Sequence, residues 1–117
     1  MAQLSKLQVR FIQTQKSFFL QNDNDSKNSK LPLDNLYIKD SNSFYFANQS
    51  DVLDDKSMLT LLFKEKNDYL STFTCKTTAH VIENGSDEYE DALLFFHQDP
   101  ETIKQVLLLT VEDVEQK

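Results

Sequence analysis

The chain has 117 residues, carries 19 acidic against 12 basic side chains for a formal net charge of −7, and contains one glycine, Gly85. One glycine excludes both glycine-rich phosphate loops, since each needs several residues without Cβ to let backbone N–H groups crowd a phosphate. A single cysteine, Cys75, excludes an internal disulfide, no run is long enough for a membrane helix, and the first residues lack the apolar stretch of a secretory leader, so one intracellular domain over 1–117, cytoplasmic or nuclear, is expected.

In chain order, Leu7, Val9 and Phe11 alternate with polar residues and predict a half-buried strand, and Phe18, Phe19 and Leu20 predict a second. Residues 22–30 hold no apolar side chain, and a flexible loop is expected over 22–33. Leu36 with Ile38 and Phe44 with Phe46 mark two short strands, followed by a polar connection over 47–56. Residues 57–65 and 70–82 form the clearest hairpin. Leu59, Leu61 and Phe63 share a face with Phe73, Cys75, Ala79 and Val81 only if the loop has an odd length. The expected register places Phe73 opposite Leu61 and Cys75 opposite Leu59, with Asn67 a candidate for positive φ.

Asn84-Gly85 predicts a two-residue hairpin turn of type I′, with the acidic loop 83–91 leading into a strand over 92–97. Asp99-Pro100-Glu101 has the order of a helix start, and Ile103, Val106, Leu107, Val111 and Val114 fall on one helical stripe. Leu108 and Leu109 lie off that stripe, so the predicted helix either sits across the mouth of a curved sheet or meets another chain. The expected fold is α+β and mainly antiparallel β: about seven strands in a sandwich or partly open barrel, then one C-terminal helix.

The strand pair DNLYIKDSNSFYF (34–46) and the run DEYEDALLFFHQDPETIKQVL (87–107) resemble the pleckstrin-homology-like superfold. The resemblance is to its branch of chloride-conductance regulatory proteins, which chaperone Sm proteins in small-ribonucleoprotein assembly. It implies a PH-like fold and an assembly chaperone that offers a strand edge and an acidic loop to a basic client.

No constellation points to catalysis. Cys75 and His80 occupy odd and even positions of one predicted strand, so they face opposite ways and cannot share a metal ion. Cys75 reads as a small core residue rather than a nucleophile, and no GxSxG elbow is present. No enzyme activity, cofactor or metal is therefore expected. Residues 83–117 carry ten acids and two lysines, which repels nucleic acid and anionic membrane, so direct binding to either is not expected.

Two interaction signals remain: the acidic set Glu83, Asp87, Glu88, Glu90 and Asp91 around Tyr89, and the off-stripe pair Leu108 and Leu109. The acidic loop reads equally well as a solvated surface. The expected function is a non-catalytic protein–protein interaction domain, acting as a subunit, adaptor or assembly chaperone. Its partner is a protein, a basic one where the acidic loop does the docking. The alternative is a small acidic inhibitor from a phage or mobile element that imitates the charge of nucleic acid.

Overall fold

A computed structural model describes residues 2–23, 28–64 and 72–116. The first element is a helix, α1 (Lys6–Gln13), where a strand was expected. The alternation of Leu7, Val9 and Phe11 loses to a capping box. The Ser5 hydroxyl accepts from the Gln8 N–H at 3.1 Å, and the Gln8 side-chain oxygen accepts from the Ser5 N–H at 2.8 Å. In the helix Leu7 turns outward, 76% exposed, while Val9, Phe11 and Ile12 pack inward.

Seven strands follow: β1 (Ser17–Asn22), β2 (Asn28–Pro32), β3 (Leu36–Asp40), β4 (Ser43–Asn48), β5 (Met58–Phe63), β6 (Phe73–Val81) and β7 (Gln105–Gln116). They form one antiparallel sheet in the order β2-β1-β5-β6-β7-β4-β3, curled into a half-barrel with β2 and β3 as its edges. Within the expected 22–33 loop, Asn28–Pro32 pairs with β1 as β2, and Leu33–Asn35 forms a short 3₁₀ turn. Pro32 is tolerated there because an edge strand leaves one side of its backbone unpaired. At the β3–β4 turn, the Asp40 carboxylate accepts from the Asn42 N–H at 3.0 Å and the Ser43 hydroxyl at 2.8 Å. Those bonds, the backbone one first, hold its pKa below the ordinary value.

The β5–β6 hairpin keeps the expected face and shifts the expected register by two residues: Phe73 pairs with Phe63, and Cys75 with Leu61. A shift of two returns every side chain to the same side, so the apolar pattern is equally satisfied by both registers. Asn67 lies outside the described residues.

The order of elements at the C-terminal end is the reverse of the one expected. Residues 87–93 are helical, as α2 (Asp87–Leu93), and the long stretch after Lys104 is the strand β7. Asn84-Gly85 does not close a hairpin. Among the described residues only Lys56 and Gly85 have positive φ, so Asn84 does not, and a type I′ turn would need it at both centres. The turn instead delivers Ser86 as N-cap, its hydroxyl accepting from the Tyr89 N–H at 3.2 Å. Asp87, Glu88 and Glu90 then lie in the first turn, where the positive end of the helix dipole favours carboxylates.

At Asp99 the carboxylate does cap, accepting from the Glu101 N–H at 3.0 Å, but only the 3₁₀ turn Pro100–Thr102 follows. The expected C-terminal helix is replaced by β7 because residues 105–111 are apolar on both faces. Leu107, Leu109 and Val111 enter the barrel, and Val106 and Leu108 pack under α2.

Two hydrophobic clusters result. The larger lies inside the half-barrel beneath α1, built on Phe18, Phe44, Phe46, Phe63 and Phe73 with Leu59, Leu61, Leu107 and Leu109. The smaller lies outside the sheet, where Tyr89, Ala92 and Phe96 cover Tyr45, Ala47 and Val106. Among the described residues no helix is long and apolar enough to cross a membrane.

Candidate functional site

The residues expected to meet a partner do not form one surface. Glu83, Asp87, Glu88, Glu90 and Asp91 are exposed on and just before α2 rather than on a loop. Tyr89 is buried in the outer cluster, Leu109 is fully buried inside the barrel, and Leu108 is half-buried on the opposite face of the same strand. Cys75 is fully buried, and burial pushes its thiol up to about 12, so it is neither ligand nor nucleophile at neutral pH. His80, on the other face of β6, is exposed, as is His97. Among the described residues no group of three or more His, Cys, Asp or Glu is placed to hold a metal ion.

Two clefts remain. One is the mouth of the half-barrel, about 420 Å³, floored by Leu20, Leu31, Phe46 and Leu59 and rimmed by Asn35, Asn48, Gln49, Ser50 and Asp51. Its amides are engaged with one another and with the backbone. Both hydrogens of the Asn48 amide are used, on the Asp51 carbonyl and the Gln105 side-chain oxygen, each at 3.0 Å. Gln105 closes a ring onto Leu53, donating to its carbonyl at 2.8 Å and accepting from its N–H at 2.9 Å. The Asn35 amide donates to the Ala47 carbonyl at 3.0 Å and the Gln49 oxygen at 3.1 Å, and its own oxygen accepts from Gln98. This network pins residues 49–53 to β4 and β7. It leaves Asn35 and Asn48 no amide hydrogen for a ligand, and among the described lining residues the one charged group is Asp51.

The other cleft, about 760 Å³, lies on the outer face of the sheet where α1 runs into β1. It is lined by Thr14, Gln15, Lys16, Ser17, Phe19, Lys30 and Lys64. The strand register explains the grouping. Phe19 pairs with Lys30 on one side and with Leu62 on the other. Side chains alternate along a strand, so Ser17, Phe19, Lys30, Leu62 and Lys64 share the face opposite the core residues Phe18, Leu61 and Phe63. The carbonyl end of α1 points here and would by itself repel an anion. The Thr14 hydroxyl and Gln15 amide donate to the Phe11 carbonyl at 2.7 and 3.3 Å, which blunts that effect. Among the described lining residues every charge is a lysine and none is a carboxylate, in a chain of net charge −7.

None of these lining residues was among those expected from the sequence. Each lysine adjoins an apolar run and reads singly as an exposed end. Only the order β2-β1-β5 brings Lys30 and Lys64 to either side of Phe19.

No protein-family model and no curated relative matches this sequence. Solved structures do. A protein of Lactobacillus delbrueckii with the provisional description pyridoxamine 5′-phosphate oxidase aligns with a TM-score of 0.70 and 16% identity, over 97% of this chain and 93% of its own. An FMN-binding protein of Syntrophomonas wolfei aligns at 0.62 and 10% identity, over 96% and 84%. HutZ, the heme storage protein of Vibrio cholerae, aligns at 0.59 and 11% identity, over 99% and 96%. At such identities the likeness is one of fold.

It corrects the PH-like resemblance and its Sm-chaperone branch. The run 87–107 that carried much of it is helix followed by strand, not strand followed by helix. The expectation of an adaptor or assembly chaperone falls with it, because the solved structures that share this fold include an FMN-binding protein and a heme storage protein.

Proposed function

We propose that this chain binds a small organic cofactor of the flavin class, with flavin mononucleotide preferred to heme. The observation that carries the preference is the chemistry of the donor sets. Heme iron takes an axial His, Cys, Met or Tyr, and none of these lines either cleft among the described residues. Both histidines are exposed outside the clefts, and the thiol of Cys75 is buried and protonated. A flavin mononucleotide asks for different partners: cations for its phosphate and an apolar or aromatic wall for its ring. The residues present fit that request, with three lysines and Phe19 in the outer cleft.

Two of the three structural relatives described above support the class by their names, one as FMN-binding and one as an oxidase of a phosphorylated pyridoxamine. A bound flavin supplies hydride or electron transfer, while the chain binds, orients and shields it.

The test is parallel titration of the purified chain with flavin mononucleotide and with hemin. Saturable quenching of flavin fluorescence at micromolar concentration, with no sharpened Soret band from hemin, is the expected result. A stoichiometric Soret band without flavin binding would reverse the preference.

A further inference from the structure

We propose that the outer cleft is a phosphate subsite. Lys30 and Lys64 grip a terminal phosphate from the two strands that flank β1, Lys16 and the Ser17 hydroxyl complete the donor set, and the ring of the ligand lies toward Phe19. The identity of the ligand as a flavin rests on the reading above, whereas the phosphate site rests on the geometry of the cleft.

The register makes the arrangement specific. Lys30 is the direct β2 partner of Phe19. On the other side Phe19 pairs with Leu62, two residues before Lys64, which lines the same cleft as Ser17. Directly paired side chains stand about 5 Å apart at Cβ, and lysine stems are long enough to converge from there on one anion. Three exposed lysines that line one cleft repel one another, and a phosphate dianion would offset that repulsion. Lysine acts here as a mobile point charge, so the ligand needs a compact terminal anion rather than a planar carboxylate matched to a rigid fork. The barrel mouth cannot compete for that group, because its charged residue is Asp51.

The experiment compares flavin mononucleotide with riboflavin, which lacks only the phosphate, on the wild-type chain and on K30Q, K64Q and the double variant. Wild type should bind the phosphorylated flavin at least about tenfold more tightly, the scale of one or two charge-assisted hydrogen bonds. The double variant should fall to the riboflavin level without changing riboflavin binding or thermal stability. Added salt should erase the difference.

Equal binding of the two flavins by wild type, or unchanged preference in the double variant, would overturn the subsite while leaving a flavin protein. If neither flavin binds, inorganic phosphate becomes the probe. Amide shifts at Ser17, Phe19 and Lys30 that vanish in the double variant would uphold the subsite while the flavin reading fails. No such shifts would sink both.

Discussion

The two faces of the curled sheet are both partly buried, but by different means. Inside, five phenylalanines interlock. The Phe63 ring lies 6.2 Å from Phe18, 6.4 Å from Phe44 and 5.2 Å from Phe73, and α1 seals them with Phe11 and Ile12. Outside, α2 covers only the part of the sheet formed by β4 and β7. Its edge stays partly wet, with Phe95 stacked on Tyr37 at 4.1 Å and both rings over a third exposed. The inner cluster is a closed core that defines the barrel. The outer one is a helix docked on one part of the sheet. The uncovered remainder of the outer face holds the lysine cleft, so the proposed subsite lies on the wet side of strands whose other side forms the inner core.

The sharpest way to break this comparison is to remove one ring from each cluster. Phe63→Ala leaves a cavity among rings that cannot collapse and should cost about 3–5 kcal/mol in a denaturation curve. Phe96→Ala, at a rim that can relax, should cost about 2 kcal/mol. Hydrogen exchange should then show the amides of α2 opening well before those of β5 and β6. Equal costs, or simultaneous opening, would mean that the two clusters form a single cooperative core.

Cys75 reports on the closed side next. Its folded pKa is raised by burial from 9.0 to about 12. Below the ordinary value both states hold the proton and its stabilising effect is fully present. Between the two values only the unfolded chain releases the proton, so stability falls as pH rises, by about 1.4 kcal/mol per unit. Cys75→Ala should remove that part of the alkaline loss, read as the difference between the two chains from pH 9 upward. In the folded protein a thiol reagent should react with Cys75 only as fast as the barrel opens.

Smaller effects belong to the helix caps. Ser5→Ala and Ser86→Ala should each cost about 1 kcal/mol. The first should also loosen the inner cluster, because α1 seals it, while the second should affect only α2; exchange rates at Phe73 and Ile82 separate the two. Least of all, Lys30→Gln and Lys64→Gln should change stability by under about 0.5 kcal/mol, since both side chains are exposed. A larger loss would make these lysines part of the frame rather than of a site.

Legibility in the sequence follows the same division. Strands with a partly wet face were readable: β1 from Phe18 and Leu20, β3 from Leu36 and Ile38, and β5 with β6 from a shared apolar face, even though the register moved by two. Of the two strands covered on both faces, β4 was readable from Phe44 and Phe46 and β7 was not. Residues 106–109 are apolar throughout and fit a helical stripe and a strand alike; Leu108 and Leu109, which sat off the stripe, were the sign that period two was correct. For α2 a signal was present and unused. Ser86 precedes an acidic first turn, and Tyr89, Ala92 and Phe96 recur at spacings of three and four. For α1 the capping pair Ser5 and Gln8 outweighed the alternation of Leu7, Val9 and Phe11.

The sequence by itself determined the class of the fold, the burial of Cys75 and its separation from His80, because side-chain period and polarity are local properties of a strand. Tertiary structure decided that the apolar run after Lys104 became the strand β7, since both periods satisfy a segment whose two faces are covered. It also decided the lysine cleft. Lys16, Lys30 and Lys64 belong to segments that meet only once β2 and β5 flank β1, and electrostatic convergence depends on distance in space, which the spacing along the chain does not contain.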